Sequence, residues 1–121
     1  MNERLDLHVR TKAFALRVIR LYAALPKTTE AQVIGKQLLR SCTSVGAHVH
    51  EGKRSRSDAE PISKIGVALQ ELEESIYWME LLQEAGIVKA ELLADLMREA
   101  DELTAILFSG AKTVKQREAR P

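Results

Sequence analysis

The chain is poor in aromatics, has one cysteine and carries no long hydrophobic run, and each scarcity excludes something. Phe, Trp and Tyr make up 4% of its 121 residues. The apolar share is mostly Leu, Ala, Ile and Val, which favours packed helices over a β-sandwich built on aromatic and β-branched residues. Cys42 stands alone, so an intrachain disulfide is excluded and a reducing compartment is the simplest setting. Apolar stretches last only a few residues, against the ~20 that a membrane-spanning helix needs. The opening MNERLDLHVR lacks the apolar core of a secretion signal, so a cytoplasmic location is expected. A Gly-rich phosphate loop, a Walker-type lysine and a dinucleotide fingerprint are all missing, and with them the common nucleotide-enzyme classes. No segment alternates with period two for long enough to make a strand.

What is present suits one domain with one hydrophobic core. Hydrophobic residues make up 45% and charged residues 29%, ordinary for a globular protein. The net charge is +1, but its distribution is uneven. Met1 to Arg56 holds eleven Lys/Arg against four acids, and the remainder holds seven against thirteen. Such asymmetry points to nucleic acid, to a matched neighbour, or to attraction between the two halves of a bundle.

Helical periodicity covers most of the chain. A first helix is expected over about 7–25, where Phe14, Val18, Leu21, Tyr22 and Leu25 recur at helical spacing until Pro26 ends it. A second, over about 30–52, opens with Thr29 and Gln32 as a capping box and carries Ile34, Leu38, Cys42, Val45 and Val49 on one face. The third, about 58–85, starts from a second box of Ser57 and Glu60, with Pro61 in the first turn where a missing N–H costs least. Its Ile62, Ile65, Leu69, Leu72, Ile76 and Met79 repeat nearly as a heptad seam, and Gly86 stops it with Ile87 able to fold back. The fourth runs over about 89–110 with Leu93, Met97, Ala100, Leu103 and Leu107 in register, followed by a basic tail, 111–121. The expected fold is all-α, an antiparallel up-down-up-down four-helix bundle.

The stretch RSCTSVGAHVHEGKRSRSD, Arg40 to Asp58, gathers the chemistry-bearing residues. Ser44, His48 and Glu51 share a helix face at triad-like spacing. A mid-helix serine has its own N–H tied into the helix, however, so no oxyanion site adjoins it. No catalytic role is expected there. His48 and His50 diverge by about 200° on a helix and cannot pinch one ion. No Glu-x-x-His pair of the di-iron type occurs, so no metal or cofactor is expected.

Small residues fit packing better. Gly35, Cys42 and Gly46 fall on one face at spacings of seven and four, and helical glycine costs about 0.5–1 kcal/mol relative to alanine. Another backbone must approach there, from the bundle itself or from a second subunit. Trp78, beside Tyr77, lies off the expected seam and suggests a subunit contact. Lys53, Arg54 and Arg56 follow the end of the second helix. They can favour its dipole, pair with Glu51 or Asp58, or contact phosphate.

The segment IGKQLLRSCTSVGAHVHEGKRSRSDAEPISKIGVALQELEESIYWMELLQEAGI, with ADELTAILFSGAKTVK after it, resembles the bacterial four-helix-bundle family of large-subunit rRNA intervening-sequence proteins. That resemblance implies a ring of copies, commonly a homopentamer, with no established enzymatic activity. A related group, accessory proteins of diversity-generating retroelements, binds nucleic acid and a reverse transcriptase. The matching positions are Arg40, Ser41, Ser44, Gly46, Glu51 and Arg54, read as structural or interfacial. His48 stands where the family commonly has Asn, and EPIS replaces an acidic-aromatic pair.

The functional expectation is a non-enzymatic homo-oligomer that binds RNA or DNA through Arg40, Lys53, Arg54 and Arg56, then Arg10, Arg17 and Arg20. Its subunit interface would use Gly35, Gly46, Tyr77 and Trp78. The alternative is a protein-interaction scaffold that binds no nucleic acid.

Overall fold

The computed structural model describes residues 7–53 and 59–118, with the side chains of 7–52 and 63–110. Four helices follow in order: α1 Leu7–Ala24, α2 Thr29–Lys53, α3 Ala59–Glu84 and α4 Ala90–Glu118. No strand occurs among the described residues. Successive helices run antiparallel. Gly35 of α2 meets Tyr22 and Leu25 at the end of α1, while His50 near the end of α2 meets His8 at the start of α1. Ser41 reaches Ser75 of α3, and Lys64 reaches back to Glu51. Gly110 of α4 faces Ile65 of α3. Arg10 of α1 meets Glu99 and Glu102, closing first helix to last.

The turns follow their local chemistry. Leu25 and Pro26 end α1, and Thr28, not Thr29, caps α2. Its hydroxyl accepts from Ala31 N–H at 3.4 Å and its carbonyl accepts from Gln32 N–H at 3.0 Å. Gln32 makes no reciprocal cap. Its amide donates to Pro26 O at 2.9 Å, and its oxygen accepts the Tyr22 hydroxyl at 2.9 Å. The side chain thus staples the α1–α2 turn. Gly86 adopts φ 73°. The amide of Gly86 donates to Gln83 O and that of Ile87 to Leu82 O, which is the Schellman pattern expected of a glycine stop. The box of Ser57 and Glu60, with the side chain of Pro61, lies outside the described residues. Helix α4 runs on to Glu118, past Gly110 and into the basic tail. Residues 111–118, AKTVKQRE, are mostly good helix formers, and one glycine does not stop a helix without a left-handed turn.

The core is one cluster. Phe14 and Val18 of α1, Leu38, Cys42 and Val45 of α2, and Leu93, Leu96, Ala100, Leu103 and Leu107 of α4 are buried. On α3 the centre of the seam is rotated from the expected one. Ala68, Leu72, Ser75, Met79 and Leu82 are buried, while Ile65, Leu69 and Ile76 flank them half-covered. Small Ala68 and Ser75 let α3 approach its neighbours closely, which larger side chains would prevent. Ser41 and Ser75, buried together, share a hydrogen bond of 2.8 Å. Ser75 Oγ also donates to Glu71 O at 2.7 Å, so neither hydroxyl is left bare.

Candidate nucleic-acid interface

Antiparallel order brings the start of α1, the end of α2, the start of α3 and the end of α4 to one pole of the bundle. Lys53 ends α2 at that pole, but its side chain, Arg54 and Arg56 lie outside the described residues. Helix α4 adds Lys112, Lys115 and Arg117 in its last turns there. All three histidines lie there too: His8 on α1, His48 and His50 on α2.

The sequence-predicted cations divide into two groups. Arg10 and Arg40 are committed within the chain. Arg10 forks onto Glu99 through Nε at 3.1 Å and Nη2 at 2.7 Å, with Glu102 at 2.9 Å. Those carboxylates hold its guanidinium charged, the hydrogen bond to Glu99 foremost. Arg40 bridges Glu71, at 3.2 Å, and Glu74 across the α2–α3 groove. Such pairing keeps both guanidiniums from free phosphate contact. Arg17 and Arg20 make no ion pair among the described residues. Helix α1 contains four cations and no Asp or Glu, so Lys12, Arg17 and Arg20 lack a carboxylate on their own helix.

The two glycines expected at a subunit interface face α1 of their own chain. A Cβ on Gly35 would lie 2.5 Å from Leu25 Cδ1 and 3.0 Å from Tyr22 Cδ2, so this buried glycine makes the bundle's own tight crossing. Gly46 lies over Thr11, where a Cβ would be 3.5 Å from Oγ1. Tyr77 is exposed, whereas Trp78 packs against the edge of the core and donates from Nε1 to Glu74 at 3.2 Å. What sequence reasoning missed is the outer face of α1. Val9, Leu16 and Ile19 are 65, 44 and 44% exposed there. Their spacing of seven and three was legible, but the inward stripe of the same helix masked it.

Ser44, His48 and Glu51 share a face of α2. His48 Nδ1 is buried without a hydrogen-bond partner and stays 3.8 Å from Glu51. Glu51 instead holds Lys64 at 2.6 Å, and that hydrogen bond pulls its carboxyl below the usual range. Burial pushes the Cys42 thiol up to about 12, partly offset by a hydrogen bond with Ser75, so it stays protonated and unreactive at neutral pH. Among the described residues, no group of three or more His, Cys, Asp or Glu is placed to hold a metal ion. No described helix is long and apolar enough to cross a membrane.

Comparison with known proteins agrees with this architecture. The profile of the 23S rRNA-intervening sequence protein family matches residues 3–109. A solved structure, a protein of unknown function from the S23 ribosomal protein family of Bacteroides thetaiotaomicron, is 32% identical to this chain. It superposes with a TM-score of 0.86, and the match covers 92% of this chain and 99% of the other. No curated protein matches. The chain belongs to the 23S rRNA-intervening sequence protein family.

Proposed function

From membership of the 23S rRNA-intervening sequence protein family, we propose that this protein is a non-enzymatic homo-oligomer that binds RNA or DNA through backbone phosphates. One observation supports the reading: the ends of α2 and α4, each followed or occupied by several Lys and Arg in sequence, lie at one pole of the bundle. Lys53 ends α2, Arg54 and Arg56 follow it in sequence, and Lys112, Lys115 and Arg117 occupy the last turns of α4. Glu51, the acid on the last turns of α2, is already engaged by Lys64. A ring of copies, a homopentamer by the family resemblance, would repeat this pole around an axis and multiply its field. Arg17 and Arg20 are the next contacts. Arg10 and Arg40 come last, because they would have to leave their carboxylates.

Filter binding of single-stranded RNA across a salt series tests this. Charge reversal of Lys53, Arg54 and Arg56 together is expected to lower affinity at least about tenfold near 0.1 M salt and to flatten the slope against log salt. Equal, weak binding by both proteins at low salt overturns it.

A second reading, a protein-interaction scaffold, is favoured by the exposed stripe of Val9, Leu16 and Ile19 on α1. Apolar side chains in a row suit a protein surface better than phosphate. Here the charge asymmetry serves docking, and Tyr77 with Trp78 contributes from α3. A nuclease-resistant complex that depends on those residues would distinguish this reading.

A further inference from the structure

Between α1 and α2, at the pole where α1 begins, lies a cleft of about 380 Å³ that neither reading uses. Its polar lining includes His8 and Lys12 from α1 and Thr43 and His50 from α2, beside the small residues Ala15, Gly46 and Ala47. The imidazoles of His8 and His50 lie side by side, ring centroids 5.1 Å apart and tilted by 36°. His8 Nδ1 is buried with no hydrogen-bond partner among the described residues. A buried polar group left unpaired costs roughly 1–3 kcal/mol. Among the described residues no carboxylate lines the cleft and the ammonium of Lys12 has no ion-pair partner.

We propose that this cleft is a binding site for a phosphate-class oxyanion, held by the Lys12 ammonium and by the N–H groups of the His8 and His50 imidazoles. Two adjacent imidazoles beside an ammonium offer several donors, and the ammonium's charge has no ion-pair counterpart among the described residues. An oxyanion offers several acceptor atoms and the missing negative charge. A divalent metal suits this lining less well, since Lys12 repels a cation and no carboxylate among the described residues of the cleft balances one. The small residues leave room for a phosphoryl group together with part of whatever carries it. The assignment rests on the cleft alone and stands apart from the reading of the basic connector.

Histidine ring signals of the full chain, followed by proton NMR at constant ionic strength, test the site with inorganic phosphate as the probe. The His8 and His50 signals are expected to shift saturably, with a midpoint at or below about 10 mM. Lys12→Gln and His50→Gln should each raise that midpoint at least about fivefold. His48→Gln, outside the cleft, should leave it unchanged. A parallel titration with a short oligothymidylate identifies the source of the phosphate. Shifts of the same signals that weaken in Lys12→Gln assign it to a nucleic-acid backbone, and a response to inorganic phosphate alone assigns it to a free anion; either result upholds the site. Non-saturating shifts, shifts reproduced by chloride, or Lys12→Gln behaving as wild type would overturn it. So would a response to zinc with none to phosphate. Loss of connector-dependent RNA binding, with phosphate binding intact, would refute only the reading in the preceding section.

Discussion

Gly35→Ala and Gly66→Ala are the same chemical change inside two helices, yet their effects on stability are expected to have opposite signs. Alanine is better than glycine in a helix interior by about 0.5–1 kcal/mol, because glycine loses more backbone freedom on folding. At Gly66 the new Cβ meets nothing within 4 Å, so this gain should appear in full. At Gly35 it would lie 2.5 Å from Leu25 Cδ1, 3.0 Å from Tyr22 Cδ2 and 3.3 Å from Tyr22 Cε2. The Leu25 methyl can rotate only within a packed core, where the residue is 5% exposed. The Tyr22 ring is tied by its hydroxyl to Gln32 at 2.9 Å. Overpacking of this kind costs about 1–3 kcal/mol, which outweighs the propensity gain and leaves Gly35→Ala roughly 1–2 kcal/mol less stable than wild type. Urea or thermal unfolding at one fixed protein concentration measures both variants, at about 3–6 °C of melting temperature per kcal/mol for a domain of this size. A Gly35→Ala protein as stable as Gly66→Ala would refute the claim that this crossing is built on the missing side chain.

Two further outcomes follow from the core and the surface. The folded Cys42 thiol keeps its proton up to about 12, while the unfolded thiol releases it near 9.0. Its contribution is therefore complete below pH 9 and is lost as pH rises towards 12, at roughly 1 kcal/mol per pH unit. Between pH 8 and pH 10 wild type should lose roughly 1 kcal/mol more than Cys42→Ala in urea unfolding, and parallel pH profiles would contradict the buried, protonated thiol. On the outer face of α1, Leu16→Glu with Ile19→Glu places charge on two side chains that are each 44% exposed, so the monomer fold should survive. Light scattering should show a multi-subunit mass for wild type and a single-chain mass for this variant. A wild type that is monomeric at micromolar concentration would end the case for self-assembly.

How much could be read in advance varied with the range of the interaction. Pro26 and Gly86 punctuate the chain through local backbone geometry, so the helices could be placed from the residues alone. The cap of α2 was misread by one position because two threonines stand side by side, and Gln32 serves the preceding turn, not the cap. The α3 seam was misread because periodicity follows bulky side chains, whereas small Ala68 and Ser75 sit at the centre of its buried face. Distant electrostatics were legible only as an imbalance of charge between the two halves, not as particular pairs. Arg10 meets Glu99 across 89 residues and Arg40 meets Glu74 across 34. Nothing local distinguished these arginines from Arg17 and Arg20, which make no ion pair among the described residues. His8 and His50 likewise came together only through the fold.

The even number of antiparallel helices has a practical corollary. Leu7 at the start of α1 and Glu118 at the end of α4 sit at the same pole as the end of α2 and the start of α3, while the described residues of the opposite pole include the short turns at Pro26 and Gly86. A label attached at Leu7 or Glu118 is therefore anchored at the pole of the histidine cleft, where a polyhistidine tag would itself offer imidazoles. A label inserted in one of the two turns would keep that pole clear.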